Sequence, residues 1–162
     1  MKTTNFASKF IKMIQRIQSL YLLAGLILSI AILFSGAFVV YQDADFVILG
    51  ALGVKEGELL LDNVLMMPLA ILAAVNIGVE AFAISQFKNR SLQTNLAKLS
   101  MLLAVVMIGW LGFQYYNLML LDVNVNPIMG VFHSPMILFA NILAIRAIKK
   151  DEALVKSVDR LR

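Results

Sequence analysis

The chain has 162 residues, 60% hydrophobic and 15% charged, with a formal net charge of +4. Soluble domains are about half apolar and about a quarter charged, so an ordinary aqueous domain is excluded. Cysteine is absent and histidine occurs once, at His133. That rules out disulfides, thiolate chemistry, Cys-ligated zinc or iron–sulfur centres and multi-histidine metal or haem sites. No motif calls for a cofactor. The positive balance is not read as nucleic-acid binding, because in a membrane chain the placement of bases matters more than their sum.

Charges are distributed so that runs of 26, 23 and 23 uncharged residues follow Arg16, Lys98 and Asp122. About 20 apolar residues cross a hydrocarbon layer of about 30 Å as a helix. Residues 1–19 form an arm in which Phe6, Phe10, Ile14 and Ile17 recur at helical spacing among Lys9, Lys12 and Arg16. This predicts an amphipathic helix on the inner leaflet. The first span is 20–41, free of charge and proline. Ser35 and Ala37 resemble a small-x-small cleavage site, but the apolar run is too long for a signal peptide and is read as a retained span. An outer loop, 42–63, contains the apolar stretch FVILGALGV, which predicts a small hairpin or an interfacial segment. The second span is 64–85, with Pro68 in its first turns and Asn76 and Glu80 within it.

An inner loop at 86–98 leads to a third span at 99–117, an outer loop at 118–127 and a fourth span at 128–148. Pro135 predicts either a kink in the fourth span or a helix start immersed in the outer interface. Residues 149–162 form a tail in which Ala147, Leu154, Val158 and Leu161 continue a stripe and Glu152 and Lys156 pair at i,i+4. Four spans place 13 of the 14 bases on one side, with Lys55 the exception. The positive-inside rule then puts both termini in the cytoplasm. The expected fold is an all-α, four-transmembrane-helix, up-down-up-down bundle in a single domain, with amphipathic cytoplasmic helices at both ends. Tyr41, Tyr115 and Tyr116 fall near its outer interface.

Glu80 is the most conspicuous chemical group, since an ionisable residue inside a span is a functional-site hypothesis by default. Asp62 and Asn76 share its helix face. Such a stripe suits a proton or ion relay, but the favoured reading is structural. Glu80 is expected to pair with Arg146, Lys149 or Arg16, and Asn76 and Asn141 to bond across helices. Gly25, Ser29, Ile32 and Gly36 form a stripe of mostly small residues suited to close helix contact, as do Gly109 and Gly112. His133 is read as a solvated loop residue, and the methionines as core filling.

Three stretches, MIQRIQSLYLL (13–23), FKNRSLQ (87–93) and AIRAIKKDEALVKSVDRLR (144–162), together resemble the uncharacterised four-helix integral membrane proteins of Bacteroidota, a domain of unknown function. The resemblance runs from Met13 to the end of the chain. It implies an inner-membrane location, and it implies no activity, substrate or catalytic residue. Members of that family begin at the methionine of MIQRIQ, here Met13, so both Met1 and Met13 are open as the start.

The motif residues gather at the cytoplasmic boundary: Gln15, Arg16 and Gln18; Lys88, Asn89, Arg90 and Gln93; then Lys149, Lys150, Asp151, Glu152, Lys156, Asp159, Arg160 and Arg162. They are expected to form an interaction face. The functional expectation is a non-catalytic inner-membrane accessory or scaffold subunit, binding a partner protein, anionic lipid or both through that face. The alternative is a small transporter or proton-coupled carrier using Asp62, Asn76 and Glu80. No nucleophile–base pair can be assigned, so an enzyme is not expected. The bilayer and other membrane proteins are the expected partners.

Overall fold

The computed structural model describes residues 4–42, 45–56, 66–87, 89–121 and 123–159. Four helices dominate: α1 (Thr4–Phe34), α2 (Met67–Ser85), α3 (Arg90–Leu120) and α4 (Met129–Asp159). Four strands accompany them: β1 (Gly36–Gln42), β2 (Asp45–Gly50), β3 (Gly53–Glu56) and β4 (Asn124–Pro127). The all-α expectation is therefore corrected: the protein is mostly helical with a small sheet.

All four helices contain a segment long and apolar enough to cross a membrane. At 1.5 Å per residue the 31 residues of α1, α3 and α4 each extend about 46 Å, and the 19 of α2 about 28 Å. The first arm and first span are thus one helix, α1, and the fourth span and tail are one helix, α4. Pro135 lies inside α4, not at its start; the carbonyl four residues earlier, on Val131, has no backbone N–H to receive there.

α1 packs against α2 and α4, and α3 packs against α2 and α4. Their buried positions step by four and three: Gln18, Leu22, Gly25, Ser29 and Ile32 on α1; Gln93, Ala97, Ser100, Ala104, Met107, Leu111, Gln114 and Leu118 on α3; Ile137, Asn141, Ala144, Ile148 and Asp151 on α4. This is the seam of left-handed helix packing. Alanine, glycine and serine recur along it, because close backbone approach supplies the van der Waals contact that holds helices together in lipid. The large apolar side chains point the other way. Ile27, Ile71, Leu102, Phe113 and Phe139 are all exposed, as expected where hydrocarbon is the solvent.

The sheet has the order β3-β2-β1-β4, antiparallel throughout. Hydropathy carries the first span to 41, but as helix it ends with α1 at Phe34. Beyond it GAFVVY carries β-branched and aromatic residues that alternate across a sheet. Phe38 and Val40 are buried while Tyr41 is exposed. The FVILGALGV stretch forms β2, a turn and β3, so the hairpin reading holds; Gly53, at φ 114°, takes the left-handed position that closes the turn. Val47, Leu49, Ala51 and Val125 complete the inward face and join Ile32, Leu69, Met107, Leu111 and Ile137 in one apolar cluster. A second cluster, Leu22, Ala83, Ala97 and Ala144, lies toward the opposite end of the helices. These are called the sheet end and the tail end.

Candidate functional site

Between the two apolar clusters sits a layer of polar side chains drawn from all four helices. Glu80 on α2 is fully buried, at 0% exposure. Its Oε1 accepts from Ser100 Oγ on α3 at 2.9 Å and from Asn141 Nδ2 on α4 at 3.0 Å. Its Oε2 accepts from Ser29 Oγ on α1 at 3.1 Å. Asn141 also donates to Ser100 Oγ at 2.9 Å and to the Ile137 carbonyl at 3.0 Å. Asn76, one turn before Glu80, donates to Ser29 Oγ at 2.8 Å, and the Ser29 hydroxyl also reaches the Gly25 carbonyl at 2.9 Å.

Gly25 makes room for this arrangement. A Cβ there would clash with Glu80 Oε1 and lie 3.0 Å from its Cδ. The layer is closed along the bundle axis. Ile32, Ala73, Ala104 and Ile137 bound it toward the sheet, and Leu22, Ala83, Ala97 and Ala144 toward the tail. The amide oxygens Asn76 Oδ1 and Asn141 Oδ1 are buried without a hydrogen-bond partner.

Asn76, Glu80 and Asn141 thus come together, and Arg146 does not join them. The expected Glu80–Arg146 pair is corrected: Arg146 is exposed, and each partner given above for Glu80 is a neutral donor. The reason is helix phase, since two residues turn about 200° and Ala144 faces inward. Lys149 is exposed as well. Asp62 lies outside the described residues, as does the side chain of Arg16. In the sequence Ser29 signals only a small residue, and Ser100 by itself carries no signal of its role. The signal for Ser100 lies in its spacing: Gln93 and Ser100 are seven residues apart, a heptad step that keeps both on one seam.

At the tail end the expected interaction face divides. Gln18 is buried and donates to the Ala147 carbonyl at 3.2 Å, tying α1 to α4. Gln93, also buried, donates to the Ala83 carbonyl at 3.2 Å, tying α3 to α2. Arg90 and Asp151 form an ion pair of 2.9 Å, with Asp151 only 1% exposed. Asn89 caps α3 by accepting from the Leu92 N–H at 3.1 Å. Gln18, Arg90, Gln93 and Asp151 are therefore committed to joining helices, and their placement on a free face is corrected. Lys149 and Lys150 are exposed, and Glu152 is half-buried with an interaction of its own. The side chains of Gln15, Lys156 and Asp159, and the whole of Lys88, Arg160 and Arg162, lie outside the described set.

His133 is likewise corrected. It lies in α4, half-buried, with Nδ1 buried and without a hydrogen-bond partner. Among the described residues no three His, Asp or Glu side chains gather as a metal-binding group. Two open pockets among the described residues are lined by apolar side chains. One of about 280 Å³ lies between Phe38, Leu111, Tyr115 and Pro135, and one of about 490 Å³ between Tyr21, Leu28, Phe132 and Phe139. Neither reaches Glu80.

A family profile described as Domain of unknown function (DUF4293) matches residues 14–161, and the chain belongs to that family. No curated protein and no solved structure matches the chain.

Proposed function

From that family membership and this geometry, we propose that the protein is a non-catalytic accessory or scaffold subunit of a larger complex in a bacterial inner membrane. Its helices run up-down-up-down with both termini cytoplasmic. The tail end carries the interaction, through exposed bases that contact a partner protein and the anionic headgroups around it.

One observation carries the reading. α1, α3 and α4 are each about 15 Å longer than the hydrocarbon layer, and exposed Lys149 and Lys150 sit on the projecting part of α4. Bases within a Debye length of an anionic leaflet gain about 1 kcal/mol each. The buried ties of Gln18, Gln93 and Arg90–Asp151 hold that projecting end rigid. They support a platform more than a loose tail.

The test is affinity purification from native membranes of the wild type and a Lys149→Glu/Lys150→Glu double variant. Charge reversal at two exposed sites leaves the bundle intact and is expected to deplete specific partners. An unchanged set of co-purifying proteins refutes the reading. A carrier based on Glu80 requires a polar cleft leading to it. The apolar closure on both sides of the layer weighs against that alternative.

A further inference from the structure

We propose that the groove between α1 and α4 holds an acyl chain of an anionic phospholipid whose phosphate sits on Arg146 and Lys150. The inference deepens the scaffold reading and rests on it for one point, that the tail end lies in an anionic headgroup layer.

The groove has a volume of about 490 Å³, and its lining comes from α1 and α4 alone, with no charged side chain. Ala24 and Ala140 leave the gap, and Tyr21, Leu28, Phe132 and Phe139 border it. Ala24, Phe132 and Phe139 are exposed on the flank of the bundle, so a lipid enters sideways and no residue has to move. From Phe132 to Leu143 the groove runs about 16 Å. That is close to the depth of one leaflet of a layer about 30 Å thick. Spread over that length, the volume gives a section of about 30 Å². A helix, about 10 Å across with its side chains, needs about 80 Å². The groove therefore fits a hydrocarbon chain and is too narrow for a partner's helix.

Charge complementarity selects the headgroup. Phe132, Met136, Phe139 and Leu143 step along one face of α4 by four, three and four. The next steps on that face, of three and four, reach Arg146 and Lys150, both exposed. The Ala147 carbonyl beside Arg146 accepts from Gln18, and one turn deeper Leu22 and Ala144 begin the apolar cluster. Arg146 thus stands where polar contacts give way to apolar ones, at the mouth of the groove. Its guanidinium is a planar donor fork that matches phosphate.

Among the described residues no acid opposes this pair of bases. α1 contains none. Asp151 is buried in its pair with Arg90. Glu152 has an interaction of its own and lies about 120° round α4 from Arg146. A zwitterionic lipid would gain the chain contact without the charge, so an anionic one is preferred.

The experiment uses the full chain, purified in detergent and given equal amounts of phosphatidylglycerol and phosphatidylcholine, with bound lipid counted by native mass spectrometry. One phosphatidylglycerol is expected to stay bound where phosphatidylcholine does not. Arg146→Gln leaves the groove intact and is expected to weaken retention about fivefold, the share of one base at an anionic surface. Ala24→Leu leaves the charge intact, fills the groove and is expected to abolish retention. Both positions are exposed, so both variants are expected to fold. Lys98→Gln removes an exposed base from α3 and is expected to change nothing. Equal retention of the two lipids, equal losses in Lys98→Gln and Arg146→Gln, or unchanged retention in Ala24→Leu each overturn the proposal. The chain has no cysteine, so Ala24→Cys carries a single thiol; its cross-linking to another polypeptide in native membranes puts a protein in the groove and also overturns it. The scaffold reading fails by its co-purifying proteins and this one by its bound lipid, so the two failures are told apart.

Discussion

Replacing Gly25 with alanine puts a methyl group in clashing contact with the Glu80 carboxylate. The new Cβ would clash with Oε1, and would sit 3.0 Å from Cδ and 3.2 Å from Oε2. A flexible side chain could normally swing aside, but this one is held from three helices by Ser29, Ser100 and Asn141. Moving it to ordinary contact distance stretches at least one of those bonds, worth about 0.5–1.5 kcal/mol net. Overpacking adds about 1–3 kcal/mol. Against this, alanine is the better helix former by about 1 kcal/mol. The balance is a loss of about 0.5–3.5 kcal/mol. The assay is reversible unfolding in mixed micelles by titration with SDS. Gly78→Ala and Gly109→Ala serve as internal references, since a Cβ at either glycine meets nothing within 4 Å; both are expected to be neutral or slightly stabilising. Combining Gly25→Ala with Glu80→Ala is expected to remove most of the penalty, because the group being struck is gone. If Gly25→Ala is as stable as Gly109→Ala, the carboxylate is not held where the structure places it.

The same titration checks three other variants. Arg90→Ala strands the buried Asp151 without its partner; breaking a buried pair costs about 3–5 kcal/mol, and partial exposure of Arg90 lowers the expectation to about 2–3 kcal/mol. Matching stability in Arg90→Ala and the surface control Lys150→Ala would refute that. Gly130→Ala directs its Cβ at the backbone carbonyl of Gly36; backbone cannot rotate away, so this variant is expected to fall well below Gly109→Ala. Asn89→Ala removes the α3 cap and is expected to cost about 1 kcal/mol, with Asn89→Asp restoring it.

The four spans were legible because charge is excluded from hydrocarbon, and a run of uncharged residues records that exclusion directly. Pairing of Asn76 with Glu80 was legible for a different reason: residues four apart share a helix face whatever surrounds them. What escaped was information about neighbours. Arg146 looked like a partner for Glu80 by depth along the membrane, but depth does not fix rotation, and α4 turns Arg146 outward. Gln18, Gln93 and Asp151 looked exposed because polar residues near a boundary usually are; their heptad phase places them on the seam instead. The end of α1 was missed because hydropathy alone does not distinguish an apolar strand from the last turns of an apolar helix. Pairing with β4, supplied from far along the chain, decides in favour of strand.

That distant pairing has a consequence for how the molecule comes into being. β1 already has β2 on one side once the first connection is made, but its other edge stays bare until α2 and α3 have been threaded and β4 arrives, with Val40 set opposite Val125. Contacts so far apart in sequence form late. β4 leads directly into α4, and the Ile128 N–H bonds the Ala37 carbonyl at 2.9 Å as that helix begins. The sheet is therefore a clasp: it shuts when the last helix is delivered and holds that helix against the first. A chain stopped short of Asn124 would leave that edge of β1 unpaired, a surface open to pairing with a strand of another chain.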